Sequence, residues 1–221
     1  MKNSPQTKVA IIGLGNIGTA LATNLTKGNH CVIVASREFE KAKTFADSLG
    51  TNAIAKTITE AIDEADVIVP SIGFNLIKEF LKNYSKELSG KIIIDVSNPI
   101  APDGNGGFKK IIGETESSAK ILSELLPANA KLVKAFGTLG AASLKNDAFK
   151  APTKMTLFYA SDSTNSNPHI EELISSAGFE PLHIGGIDQS IRIEVFGDLH
   201  QFGALGKTVS LEEAKAAIAK S

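Results

Sequence analysis

A glycine-spaced turn, Gly13-Leu14-Gly15-Asn16-Ile17-Gly18, separates the apolar run VAII from an alanine-rich stretch with helical periodicity. Each glycine has its own steric task. Gly13 permits the tight turn, Gly15 lets the backbone approach a pyrophosphate, and Gly18 lets helix and strand pack closely. The helix that opens there turns free N–H groups and the positive end of its dipole toward the anion. Strand, turn and helix in succession therefore predict the first βα unit of a parallel sheet, with a dinucleotide at its carboxyl edge. A turn with packing duties alone is the plainer alternative, and the position between an apolar run and a helix argues against it.

The rest of the chain continues that pattern. Short apolar runs alternate with amphipathic stretches, which reads as α/β: a Rossmann-type, doubly wound, mostly parallel sheet with helices on both faces. Strands are predicted at Val9–Leu14, Cys31–Ala35, Val67–Pro70, Lys91–Asp95, Leu132–Ala135, Met155–Ala160 and Pro181–Ile184, with a weaker one near Ala53–Ala55. Helices are predicted at Ile17–Lys27, Phe39–Leu49, Leu76–Tyr84, Ser118–Leu125 and Ile170–Ser176. A further helix is expected from about Ile187, because Ile187, Ile191, Val195, Leu199 and Phe202 recur on one helical face. The tail Leu211–Ala219 reads as a closing helix, with Ser210 and Glu213 as its capping box. DGNGG (103–107) reads as a loop, and the polar turn Asp147–Pro152 as a boundary. Residues 1–150 are thus expected to form the nucleotide-binding domain, and 151–221 a small C-terminal α/β region packed on it.

Composition removes several classes of function. Lys and Arg number 23 against 24 Asp and Glu, and 43% of residues are hydrophobic, so neither a polybasic nucleic-acid binder nor a disordered chain fits. One cysteine, Cys31, forbids an intramolecular disulfide and fits a reducing, cytoplasmic setting; at the start of an apolar strand it reads as a buried packing residue. The polar start MKNSPQTK gives no sign of a signal peptide. The charge-free stretch from Val9 to Thr26 is too rich in glycine, threonine and asparagine to span a membrane. His30, His169, His183 and His200 are isolated from one another, so no metal site is expected and each reads as a surface or locally bonded histidine.

The end of the second strand selects the dinucleotide. An NAD site places Asp or Glu there to accept hydrogen bonds from the ribose hydroxyls. This chain has Ser36 and Arg37, with Lys41 one helical turn on, and a hydroxyl, a guanidinium fork and an ammonium attract a 2′-phosphate. The reading is NADP(H). Arg37 is one of just two arginines, the other being Arg192. A solvated helix start is the plain alternative for Arg37 and Lys41.

GLGNIG, VASREFEKA, DVSNPI (95–100) and SSAKILSELLPANAKLVKAFGTLGAA (117–142) together resemble one family. It is the NADP oxidoreductases of the coenzyme F-420 (8-hydroxy-5-deazaflavin) dependent type, whose relatives include the cytosolic domain of the STEAP metalloreductases. The similarity weakens after Lys145. The resemblance implies that Gly13, Gly15, Asn16 and Ile17 form the pyrophosphate turn, and that Ser36, Arg37 and Lys41 form the 2′-phosphate clamp. It likewise implies that Ser71 and Ile72 stand in the loop after the fourth strand, Asn98 and Pro99 in the loop near the nicotinamide, and Thr138 of KAFGT on the cofactor. Gly137 departs from the Asn or His often found in relatives, and Gly140 from a bulkier residue, which predicts a more open or reshaped pocket.

The same resemblance implies direct hydride transfer between NADP(H) and a stacked flavin or deazaflavin, with little acid-base machinery and no catalytic side chain to name. The acceptor is expected between the loops of Asn98 and of Gly137–Gly140 and the segment Leu199–Leu205, closed over by residues 151–221. A homodimer through the helix after Ile187 is a further expectation. Two other readings share the glycine turn. A β-hydroxyacid dehydrogenase or pyrroline-carboxylate reductase would append a large all-helical domain, for which too few residues follow Gly186. A redox sensor that binds NADP(H) without turnover stays open.

Overall fold

The computed structural model describes residues 6–220; residues 1–5, which belong to the polar start, and residue 221 lie outside the described residues. The first half runs β1 (Val9–Ile12), α1 (Asn16–Lys27), β2 (Val32–Ala35), α2 (Phe39–Leu49), β3 (Ala53–Ala55), α3 (Ile58–Glu64), β4 (Val67–Pro70), α4 (Phe74–Asn83) and β5 (Ile92–Asp95). A hairpin of β6 (Ile100–Pro102) and β7 (Phe108–Lys110) follows, then α5 (Ser118–Ser123), β8 (Lys131–Lys134) and α6 (Ala141–Asn146). The chain ends with β9 (Thr156–Ser161), α7 (Asn167–Ser176), β10 (Glu180–His183), a 3-10 segment (Ile187–Ile193) and α8 (Leu211–Ile218).

The main sheet has eight strands in the order β3-β2-β1-β4-β5-β8-β9-β10. Neighbours are parallel except β8 and β9, where Val133 faces Ser161 and Lys134 faces Ala160 in antiparallel register. Winding proceeds outward in both directions from β1 and β4, so the order reverses between them and leaves a crevice at their carboxyl ends. Both faces of the sheet are covered. Val9 and Ile11 point into one core with Leu21 and Leu25 of α1, whereas Ala10 and Ile12 point into the other with Ile77 and Leu81 of α4. That two-sided burial is why the strands read as continuous apolar runs. A third cluster, around Phe158, Ile193, Leu199 and Val209, seats the C-terminal segment. No helix among the described residues is long and apolar enough to cross a membrane.

Several local expectations change. The segment after Ile187 is not one amphipathic helix: the 3-10 turn ends at Glu194 in an extended conformation, and Phe196 takes a left-handed φ of 76°. Gly197 explains the break, since a Cβ there would run into the carbonyl oxygens of Ile191 and Arg192. Ile187 and Leu199 are spent in the protomer's own core while Phe202 is exposed, so the apolar helix face invoked for a dimer does not form. Cys31 precedes β2 and is exposed; His30 takes the buried place beside it and bonds through Nε2 to the Thr7 carbonyl at 2.8 Å. The DGNGG loop is the tip of the β6–β7 hairpin, held by Asp103 Oδ1, which accepts from the N–H groups of Asn105 and Gly107.

Candidate cofactor site

A cleft of about 510 Å³ opens at the carboxyl ends of β1, β2 and β4. Gly13 sits at its floor with φ +103°, and a Cβ there would stand 2.5 Å from the Ser71 carbonyl oxygen. Gly18 is equally crowded, against the Gly13 carbonyl. Gly15 is the opposite case: it is exposed and a Cβ would meet no protein atom within 4 Å. Two of the three glycines therefore serve packing, and the third faces open space where a bound group would lie. Gly15 is also the N-cap of α1 and supplies no side-chain cap, so the first N–H groups of the helix keep their donors for an anion.

Seven of the predicted positions line this one cleft: Gly13 and Gly15, Ser36, Arg37 and Lys41, and Ser71 with Ile72. Asn16 and Ile17 form the first turn of α1 beside it. Glu38, which the sequence reading passed over, lines the cleft too, and its carboxylate holds Lys41 Nζ at 2.7 Å. Ser36 Oγ donates to the Glu38 carbonyl. Both ends of the Lys41–Glu38 pair are about two thirds exposed (68% and 67%), so solvent screening leaves it weak and displaceable. Ile58 also lines the cleft, at the start of α3, a helix absent from the sequence expectations although its Thr57–Glu60 capping box was the signal that could have found it. The cleft thus joins an unblocked helix N-terminus, an apolar wall and a cationic rim, a fit for an adenine dinucleotide carrying a further phosphate.

Asn98, Pro99 and Thr138 lie elsewhere, at the carboxyl ends of β5 and β8, and do not line the cleft. Asn98 is committed within the protein: Nδ2 donates to the Gly137 carbonyl at 2.9 Å, and Oδ1 accepts from Val195 N–H at 2.8 Å. Pro99 and Thr138 are buried. The Gly137 carbonyl also accepts from His200 Nε2 at 2.9 Å, while His200 Nδ1 accepts from Phe202 N–H. Those two bonds fix a neutral imidazole with its proton on Nε2. Burial, aided by the nearby Lys134 charge, pushes the His200 pKa down to about 4. Gln201 Oε1 accepts from Gly140 N–H. The three segments expected to surround an acceptor are therefore hydrogen-bonded to one another. Gly137 does not enlarge a pocket; a Cβ there would stand 2.5 Å from the Val96 carbonyl oxygen, so the glycine permits two backbones to touch.

Below this junction lies a group of buried charges. Lys134 Nζ contacts Asp95 Oδ2 at 2.8 Å, Glu194 Oε1 at 3.2 Å, Ser118 Oγ at 2.6 Å and the Ser97 carbonyl. Burial opposes the charged ammonium, but the Asp95 and Glu194 carboxylates outweigh it and hold the Lys134 pKa above the usual lysine value.

Fold, glycine turn and cleft define a dinucleotide-binding protein of the Rossmann class. The family described as NADP oxidoreductase, coenzyme F420-dependent, matches residues 8–99, the β1-to-β5 part of the sheet. The chain is 28% identical to metalloreductase STEAP3 of Rattus norvegicus over 85% of its own length, but spans 36% of that protein. It is 25% identical to the F420-dependent NADP reductase of Methanothermobacter marburgensis, covering 85% of this chain and 88% of that one. The crystal structure of a hypothetical protein from Sinorhizobium meliloti superposes with a TM-score of 0.78 at 31% identity, over 93% of this chain and 95% of that chain.

Proposed function

We propose that this chain is an NADP(H)-dependent oxidoreductase that passes hydride between NADP(H) and a flavin or deazaflavin-type acceptor. One observation carries the cofactor reading: Ser36, Arg37 and Lys41 share a cleft with Gly13 and Gly15, so one molecule can meet the helix N-terminus and the cationic rim together. Bound there, NADPH would supply a hydride, and the acceptor would take up that hydride with one proton from solvent. The chain's own residues bind and orient. Gly15 and the start of α1 receive the pyrophosphate, Arg37 and Lys41 receive the 2′-phosphate once Glu38 releases Lys41, and Asn98, Gly137 and the segment 194–202 wall the far half. In this reading residues 1–150 bind the nucleotide and 151–221 close the acceptor side. The acceptor class rests on the name of the matched family and of the Methanothermobacter relative.

Titration with NADPH and NADH tests the cofactor. Arg37→Ala is expected to weaken NADPH about ten- to a hundredfold, the worth of a charge-assisted contact, and to leave NADH nearly unchanged. Equal losses for both, or a wild type preferring NADH, would refute the assignment. Anaerobic NADPH oxidation with FMN, FAD, riboflavin and a deazaflavin tests the acceptor; tight binding without turnover on any of them would favour a sensor.

A further inference from the structure

The three buried charges beneath the junction and the serine that links them come from four separate places in the chain: Asp95 ends β5, Ser118 opens α5, Lys134 ends β8 and Glu194 follows the 3-10 segment. Taking a cation and two carboxylates out of water is costly, and such groups are weak stabilisers compared with apolar packing. What they do is fix geometry. Ser118 Oγ stands 2.6 Å from Asp95 Oδ2 and 2.7 Å from Glu194 Oε1, and Ser118 N–H donates to Glu194 Oε2 at 3.1 Å. Glu194 is thereby tied to two strand ends and a helix start.

The tie continues into the predicted nicotinamide wall. Val195, the residue after Glu194, donates the N–H that holds Asn98 Oδ1, and Asn98 Nδ2 in turn holds the Gly137 carbonyl. From the other side, Asp95 Oδ1 accepts from Ser97 N–H and Oγ, and Lys134 takes the Ser97 carbonyl. The residue before Asn98 and the partner of its amide are therefore both set by the same four side chains. In a doubly wound sheet the second half, β4, β5 and β8, faces the second nucleotide of a dinucleotide.

We propose that Asp95, Ser118, Lys134 and Glu194 form a positioning unit that sets, through Asn98, the wall against which the nicotinamide half packs. The proposal rests on the NADP(H) reading. Its test separates the two halves of the ligand by comparing NADPH with 2′,5′-ADP, which carries the adenosine and its 2′-phosphate alone. Glu194→Gln is expected to lower NADPH affinity about tenfold, the loss of one charge-assisted bond's worth of order, while 2′,5′-ADP stays within about twofold. The rise in nicotinamide fluorescence on binding should fall with it. Asn98→Ala should reproduce that pattern, and the double variant should be no worse than Asn98→Ala, because the two act in series. If Glu194→Gln fails to fold, Ser118→Ala removes a single linking hydroxyl and should shift the same ratio. In wild type, exchange of Val195 N–H should slow with NADPH and not with 2′,5′-ADP. An unchanged ratio, additive losses, or equal protection by both ligands overturns the proposal while the cofactor reading stands. A wild type that binds neither ligand overturns both.

Discussion

The cleft over β1 and β2 and the junction over β5 and β8 occupy the same edge of one sheet and are built in opposite ways. The cleft is made of short contiguous strings, 13–18 and 36–41, and leaves Gly15 and the first turn of α1 facing open space. The junction draws single residues from six elements or loops and consumes nearly every polar group in bonds to its own chain. A region meant to receive a charged ligand keeps donors unspent; a region meant to hold a shape spends them. Mutations should therefore separate binding from stability according to side.

The most severe break is expected at Lys134. Replacing it with Met strands two buried carboxylates, and unfolding in urea should show a loss of about 3–5 kcal/mol. Next comes a pair of glycines. Gly137→Ala drives a Cβ into the Val96 carbonyl and should cost about 1–3 kcal/mol, whereas Gly15→Ala meets nothing and should change stability by under about 0.5 kcal/mol. Gly15→Val should abolish NADPH binding with the melting temperature nearly kept; comparable stability losses at positions 15 and 137 would erase the distinction between the regions.

Acid sharpens the comparison further. The His200 pKa is depressed from 6.5 to about 4, so the unfolded chain binds a proton that the folded one refuses across that window. Stability from this group is complete above pH 6.5 and drains as pH falls toward 4, by roughly 2 kcal/mol at pH 4.5. Chemical denaturation of wild type and His200→Asn at pH 7 and 4.5 should show a smaller acid loss in the variant. An equal loss in both would place the acid sensitivity elsewhere. The smallest effect belongs to the rim. Glu38→Gln frees Lys41 from an exposed pair, and NADPH should tighten by no more than about fivefold, since such pairs are worth under about 1 kcal/mol. Weaker NADPH binding in that variant would make Glu38 a ligand contact rather than a competitor.

The same contrast explains what the sequence made legible. Gly13, Gly15, Gly18, Ser36 and Arg37 announce themselves because the physics that needs them is local: a turn, a helix start, a strand end. The Thr57–Glu60 capping box was an equally local signal, but α3, which it opens, was not among the predicted helices. Asp95 and Lys134 carried no such sign. Asp95 ends β5 and accepts from Ser97 N–H as strand-end aspartates commonly do in turns, but its second oxygen meets a lysine from another strand. Nothing adjacent to Lys134 or Glu194 distinguishes either from a solvated charge. The periodic run from Ile187 to Phe202 misled for a related reason: spacing registers apolar positions, not the backbone contact that Gly197 requires.

The 3-10 form of Ile187–Ile193 acquires a meaning from the antiparallel turn of β9. Because β9 and β10 run against β8, the chain leaves β10 near the amino end of β8, where Ile187 N–H bonds Asp162. Glu194 must nevertheless reach Lys134 at the other end of that strand. At about 2.0 Å per residue, seven residues in a 3-10 helix advance roughly 14 Å. The same seven in an α-helix would advance about 10.5 Å. The segment works as a ruler, and exchanging its i→i+3 hydrogen bonds for the i→i+4 bonds of an α-helix would leave Glu194 about 3.5 Å short of its lysine.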